Sequence, residues 1–248
     1  MTTDFPNRQE HQIADPFVLD DLRQMEYAQR YNAWLFALIQ PYLGQQVLEI
    51  GPGIGNISRL VIEQANLLVG MEPNPHCAAV LAETLGQHKN FELLPTRVED
   101  SPLEDLRAYR FDTILCMNVL EHVKEDGATL AMFEQVLAPG GRVVLLVPAF
   151  QQAYGPIDAS VGHFRRYTKA SLRAAFARSG LVIEKLFYTN MLGLLGWMVN
   201  ARIRKVVKQN DTQIKIFDAL VPVLSRIERV VPRPFGLSLI ASARKVQP

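Results

Sequence analysis

The stretch VLEIGPGIGNIS, residues 47–58, decides how this chain is read. A short apolar run, Val47 to Ile50, passes into three glycines at alternate positions, Gly51, Gly53 and Gly55, and then into residues of helical character. Glycine turns tightly and brings the backbone against a ligand without a Cβ clash, so a strand, a turn and a helix start in this order imply a seat for a nucleotide-type cofactor. The spacing selects among such cofactors. The dinucleotide fingerprint is GxGxxG, and Asn56 stands where its third glycine belongs; the pattern here is ExGxGxG, with Glu49 ahead of the first glycine. Glu72, followed by Pro73, ends the next apolar run, where a carboxylate can accept hydrogen bonds from both hydroxyls of a ribose.

Outward from this stretch the chain alternates apolar runs with helical spacing, as a βαβ series does. Strands are expected at Val47–Ile50, Leu67–Met71, Phe91–Leu94, Phe111–Met117, Arg142–Pro148, Val182–Tyr188 and Leu237–Arg244, and helices at about Ile57–Gln64, Pro75–Leu85 and Gly127–Val136. Before the series, residues 1 to about 20 lack periodicity and read as a loose arm. Asp21 to Tyr42 places Met25, Tyr27, Tyr31, Trp34, Leu35 and Ile39 at helical spacing, one or two helices. Asn190 to Phe235 is a long helical insertion ahead of the last strand.

With the order of segments laid out, the chain resembles the class I S-adenosylmethionine-dependent methyltransferase family over about residues 25 to 188 and the final strand. Four segments carry the resemblance: VLEIGPGIG, LVGMEPNP with Glu72, FDTILCMNVLEHV (111–123) and LAPGGRVVLLVP (137–148). The resemblance implies that Gly51, Gly53 and Gly55 pack under the methionine part of the cofactor, with Glu49 and Asn56 beside them, and that Glu72 and Pro73 meet the ribose. It also implies that Asn118 and Val119 lie near the sulfonium and that Val98, with Glu99, meets the adenine. Arg97 departs from the pattern, standing where aspartate is usual. The expected fold is α/β: a Rossmann-like, doubly wound, seven-stranded, mostly parallel sheet with an antiparallel last strand. One domain is expected, with an arm and helical cap at 1–44, a cofactor-binding core at 45–188, the insertion at 189–236, and the last strand and tail at 237–248.

The methyl acceptor is less legible. Ligands of open α/β sheets bind beyond the carboxyl ends of the strands, and AYGPIDASVGHFRRYTKASL (153–172) leaves the fifth strand there. In one reading His163, oriented by Asp158 and with Tyr154 beside it, takes the acceptor's proton, while Arg165, Arg166 and Tyr167 bind the acceptor. In the other, Asp158 and the arginines pair within a capped loop and Thr168 caps the following helix. His122 is a second base candidate; with Glu121 it reads better as a packing and orienting residue. Tyr31 stands in an aromatic group that either meets the cofactor as a lid or belongs to the core. GHFRRY (162–167) also resembles methyltransferases found beside glycosyltransferases that act on polyprenyl phosphates, which implies a lipid-linked or glycan acceptor.

Bulk properties bound the rest. The chain has 248 residues and a formal net charge of +1, from 26 basic and 25 acidic residues, so no global field holds a polyanion and a nucleic-acid partner is not expected. Cys77 and Cys116 do not imply a disulfide framework, and no Cys or His cluster has metal-ligand spacing, so no metal is expected. The N-terminus lacks the apolar core of a secretory signal and Met191–Val199 is too short to span a bilayer, which favours a cytoplasmic, at most membrane-peripheral, protein. Within the insertion, Phe217, Leu220, Leu224, Ile227 and Val231 form an amphipathic helix interrupted by Pro222, and an apolar stretch holding Trp197 precedes Arg202, Arg204, Lys205 and Lys208. A helical cover over the acceptor pocket is the preferred reading, and a bilayer-surface patch the alternative. Against methyl transfer stand an NAD-dependent oxidoreductase, disfavoured by Asn56 and by the lack of a catalytic tyrosine–lysine pair, and an idle cofactor-binding module.

Overall fold

The computed structural model describes residues 16–199 and 211–246. Most of the expected arm, and the basic cluster Arg202, Arg204, Lys205 and Lys208, lie outside the described residues. The strands are β1 Gln46–Ile50, β2 Leu67–Met71, β3 Phe91–Leu94, β4 Thr113–Met117, β5 Arg142–Pro148, β6 Leu181–Thr189 and β7 Ser238–Lys245. The α-helices are α1 Pro16–Glu26, α2 Gln29–Ile39, α3 Ser58–Val61, α4 Pro75–Leu85, α5 Leu103–Ala108, α6 Asp126–Val136, α7 Pro156–Ser160, α8 Lys169–Phe176, α9 Met191–Met198 and α10 Asp211–Val230.

All seven strands join one sheet in the order β3-β2-β1-β4-β5-β7-β6. β1 to β5 are parallel, and β7 runs antiparallel to both β5 and β6. Alternate residues feed two cores. Leu48, Ile50, Ile114, Cys116, Val143, Leu145 and Val147 face the side covered by α5, α6 and α8; Val47, Leu115, Val144 and Leu146 face the side covered by α2, α3, α4 and α10. Parallel strands covered on both faces read as continuous apolar runs, which is why they were legible in sequence.

The chain departs from β1 toward β2 on one side and finds β4 on the other, with Ile50 level with Cys116 across the switch. Strand order reverses here, so the carboxyl ends of β1 and β4 open a crevice between diverging loops. The glycine turn after β1 and the Asn118 turn after β4 line one edge of the sheet.

Several boundaries differ from expectation for physical reasons. The first helix begins at Pro16, inside the expected arm, where proline's fixed φ and missing amide suit a first helical position. β4 starts at Thr113, two residues late, because Asp112 turns its carboxylate to the amides of Gln45 (2.8 Å) and Gln46 (3.1 Å), while the Thr113 hydroxyl takes the Gly44 amide at 2.8 Å. α5 and α7, six and five residues long, are too short to show a period. α10 continues through Pro222, although that residue cannot donate to the Asp218 carbonyl. Its packing against α2, where the Tyr31 amide donates to buried Asp218 at 2.8 Å, carries the helix past the proline.

Candidate active site

The glycine turn is held open by backbone geometry. Gly51 and Gly53 have φ of 64° and 61°, a region costly to residues with a Cβ. A Cβ at Gly51 would lie 2.6 Å from Val119 Cγ2, so the turn approaches the end of β4 as closely as a glycine allows. Glu72, at the end of β2, bridges the same region: its carboxylate accepts the Gly53 amide at 2.7 Å and the Asn74 amide at 2.9 Å. Burial pushes the Glu72 carboxyl above the usual range, with those two amides pulling it back. Glu49 is buried beneath the turn, with Oε2 lacking any hydrogen-bond partner, and burial pushes its pKa up to about 7.

The remaining cofactor candidates surround this crevice. Asn118 takes the left-handed conformation (φ 53°) and donates its amide to Leu146 at 2.8 Å, which turns the chain at the end of β4 and sets Val119 against Gly51. Asn56 donates its side-chain amide to the Leu22 carbonyl at 3.1 Å, tying α1 over the turn. Pro73 is half-buried after Glu72, and Asn74 caps α4 through the amides of His76 and Cys77. Val98 is buried and opens a 3-10 turn, Glu99 is exposed in it, and Arg97 pairs with Asp100 at 2.6 Å. Tyr31 is engaged elsewhere: its ring packs edge-on to Trp34 and Phe217, and its hydroxyl accepts from the Asn190 side chain at 3.4 Å. The crevice fits an adenosyl cofactor: the glycine cradle would be filled by a single Cβ, and each Glu72 oxygen, with one amide on it, keeps a lone pair for a ribose hydroxyl.

The loop after β5 gathers the second group around one carboxylate. Asp158 is fully buried; one oxygen accepts from His163 Nδ1 at 2.7 Å and from Arg166 Nε at 2.7 Å, and the other takes the Gly155 amide at 2.9 Å. Burial alone would raise its pKa, but the His163 and Arg166 contacts override that and hold it below the usual carboxylate range. Burial likewise depresses Arg166, with Asp158 opposing it. Tyr154 donates its hydroxyl to the His163 carbonyl at 2.8 Å, fixing the loop on which the imidazole stands. Asp158 thus contacts His163 and pairs with one arginine of the two, Arg166, at once.

Arg165 reaches away, to Asp126 at 2.9 Å and the Lys124 carbonyl at 2.7 Å, and the buried Tyr167 hydroxyl also meets Asp126, at 3.2 Å. Burial raises the Tyr167 pKa. Thr168 caps α8 by accepting the Ser171 amide at 3.1 Å. His122 lies edge-on to His163, ring centres 4.7 Å apart, and burial pushes its pKa down to about 4, with His163 adding to the effect. Three further contributors stand here: Glu121 and Trp197, which the sequence reading placed only as a packing and orienting residue and within the insertion, respectively, and Asp126, which it missed. Glu121 is buried with its carboxylate toward His163, Asp126 anchors Arg165 and Tyr167, and Trp197 of α9 donates to the Ala153 carbonyl at 2.9 Å while the Arg166 guanidinium sits 4.4 Å over its ring. Glu121 and Asp126 carried a local signal, acidic side chains just beyond a strand end. For Trp197 the signal was the apolar stretch around it, which gave no partner.

Comparison with known proteins agrees with this geometry. A family model described as a methyltransferase domain matches residues 22–186. An "uncharacterized methyltransferase" of Geobacillus thermodenitrificans is 24% identical over 182 residues, 71% of this chain and 77% of that protein. A tRNA U34 carboxymethyltransferase of Alteromonas mediterranea is 30% identical over 124 residues, 45% of this chain but only 36% of that protein. Among solved structures, phosphoethanolamine N-methyltransferase 2 of Haemonchus contortus, in complex with S-adenosyl-L-methionine, superposes with a TM-score of 0.62 at 15% identity, covering 100% of this chain and 62% of that one, a likeness of fold. The matched segment runs from the helix over the glycine turn through most of β6 and takes in every residue of the crevice between β1 and β4. The chain belongs to the methyltransferase domain family and is a class I S-adenosylmethionine-dependent methyltransferase.

Proposed function

We propose that the chain transfers the methyl group of S-adenosylmethionine to a small-molecule or lipid-linked acceptor whose proton is taken at His163. The observation that carries this reading is the 2.7 Å contact from His163 Nδ1 to Asp158. An ionised Asp158 keeps the proton on Nδ1, which leaves the Nε2 lone pair to act as base. The bound cofactor supplies an activated methyl on a sulfonium, so the protein's work is alignment and exclusion of water. Gly51, Gly53 and Gly55 seat the methionine part, Glu49 and Asn56 support the turn, Glu72 with Pro73 holds the ribose, Val98 and Glu99 meet the adenine, and Asn118 and Val119 border the reacting carbon.

Arg165, whose side chain is 29% exposed against 2% for Arg166, is the more accessible of the two arginines, and meeting an anionic acceptor group would require it to leave Asp126. α9 serves as a cover, which its Trp197 contacts with Ala153 and Arg166 support. No helix among the described residues is long and apolar enough to cross a membrane, and a net charge of +1 favours a small or lipid-linked acceptor over nucleic acid.

The test is methyl transfer from labelled cofactor to a panel of soluble and polyprenyl-linked sugars by wild type, His163→Ala and Asp158→Asn. General-base loss lowers turnover about 100-fold or more in His163→Ala, with affinity for S-adenosylhomocysteine unchanged. Unchanged turnover on an accepted substrate removes His163 from the chemistry.

A further inference from the structure

Beside the proton-accepting side of His163 lies a group of acceptors that no hydrogen bond joins. Its Nε2 is 3.8 Å from Glu121 Oε1, too far for a hydrogen bond. Glu121 is fully buried, and neither of its carboxylate oxygens receives a hydrogen bond from another residue. His122 completes the group, and one ligand atom from each of Glu121, His122 and His163 lies within 4.8 Å of the others. A buried carboxylate without a hydrogen-bond donor from another residue, within 4.8 Å of a nitrogen from each of two imidazoles, is a cluster that a positive charge among these atoms would stabilise.

We propose that Glu121, His122 and His163 bind a first-row divalent cation. Two imidazoles and one carboxylate are a donor set that suits zinc, iron or manganese, and three protein ligands leave a coordination position for another molecule. Metal–ligand bonds of about 2.0–2.2 Å at tetrahedral angles put donor atoms roughly 3.4 Å apart, so modest side-chain rotation closes the observed spacing. The surroundings are those of a metal-binding histidine. Asp158 accepts a hydrogen bond from His163 Nδ1 and so leaves Nε2 for the ion, as an outer-shell carboxylate does for a ligating histidine. Arg166 pairs with Asp158 at 2.7 Å, and its charge also reaches Glu121, but no hydrogen bond joins it to that carboxylate. Glu121 and His122 follow β4 directly and are fixed by a 3-10 turn, Leu120–His122, while the Phe164 amide donates to the Glu121 carbonyl at 2.9 Å and fastens the His163 loop onto that turn.

The inference rests on the acceptor reading for its purpose alone and replaces its proton step: the remaining coordination position is where the acceptor's reacting atom would sit, and His163, with Nε2 on the ion, would be a ligand and no longer the base. Sequence spacing could not show the site, because its ligands come from the loops after two different strands.

The full chain, freed of metal with a chelator, is titrated with Co2+ and then Zn2+, without cofactor or acceptor. Visible d–d absorption saturating at one equivalent of Co2+ and bleached by Zn2+ is expected. Affinity falls at least tenfold in Glu121→Gln and His163→Ala, and 10- to 100-fold in Asp158→Asn, which leaves all three ligands in place but removes the orienting carboxylate of His163 along with the countercharge of Arg166. It stays unchanged in the exposed control His88→Ala. Retained binding of S-adenosylhomocysteine checks that each variant is folded; should Glu121→Gln fail that check, His122→Gln carries the test. Absence of saturable Co2+ binding in wild type, or equal binding in Glu121→Gln or its substitute, overturns the proposal and leaves a proton as the charge between Glu121 and His163. Since metal is measured without turnover, its failure leaves His163 as a base, whereas a metal-binding chain that methylates none of the acceptors counts against the acceptor reading alone.

Discussion

At the scale of single residues the crevice is governed by what cannot be added to it. Gly51 combines a left-handed φ with a Val119 methyl 2.6 Å from where its Cβ would lie. Gly51→Val therefore strains the backbone and pushes the β4 turn away; calorimetry is expected to show at least a 100-fold loss of S-adenosylhomocysteine affinity, with thermal stability lowered by about 1–3 kcal/mol. Glu49 makes a different prediction. Its folded-state pKa, raised to about 7 by burial, means that the native chain binds more protons than the unfolded chain between roughly pH 4.5 and 7. Stability contributed by this group is complete below its unfolded pKa and is lost as pH rises through the folded one. Urea midpoints of wild type should fall over that window relative to Glu49→Gln, by an amount on the order of 3 kcal/mol at most. Parallel curves for the two proteins across that range would show that Glu49 is ionised in the native state at low pH.

At the scale of elements, the strands were legible and their neighbours in space were not. Apolar runs such as Val143–Val147 announce strands buried on both faces whatever surrounds them. The ends depend on partners far along the chain, as with Asp112 reaching the amides of residues 45 and 46. The turns that line the crevice between β1 and β4 were legible because their chemistry is local: glycines after one strand, an acid after the next. The acceptor half was half-read. Asp158 and His163 lie five residues apart, within the span of a single loop, whereas Glu121 and Trp197 meet that loop only after folding. α9 is held against the loop by one indole. Trp197→Ala removes its hydrogen bond to Ala153 and its face from Arg166, so hydrogen exchange of residues 151–160 should quicken while S-adenosylhomocysteine affinity holds within about twofold. Unaltered exchange in that loop would argue that α9 restrains nothing.

At the scale of the whole molecule, one sheet takes strands from both sides of the insertion; α5, α6 and α8 cover one face, and α2, α3 and α4 with the insertion's own α10 cover the other. Trp34 is buried among α2 and its neighbours, and Trp197 lies on the acceptor loop, so the two tryptophans report on distant parts of the fold. Trp34→Phe and Trp197→Phe each leave a single fluorophore. The two variants should each unfold in urea in one transition that coincides with loss of far-ultraviolet circular dichroism, and S-adenosylhomocysteine at 100 times its Kd should stabilise both by about 2.7 kcal/mol. A fluorescence transition in the Trp34→Phe variant that precedes loss of secondary structure would instead make the acceptor side a separate unit.

The excursion between β6 and β7 starts and finishes at one point, with Thr189 directly opposite Ser238 in the sheet. Its ends are already neighbours, so the chain entropy of closing the excursion grows only with the logarithm of its length, and a doubling would add about 0.6 kcal/mol. Loop closure therefore sets almost no limit on the length of this excursion; what fixes it is packing, since α10 buries Ile214 and Val221 against the sheet, and residues outside that contact can change over generations without disturbing the glycine turn after β1.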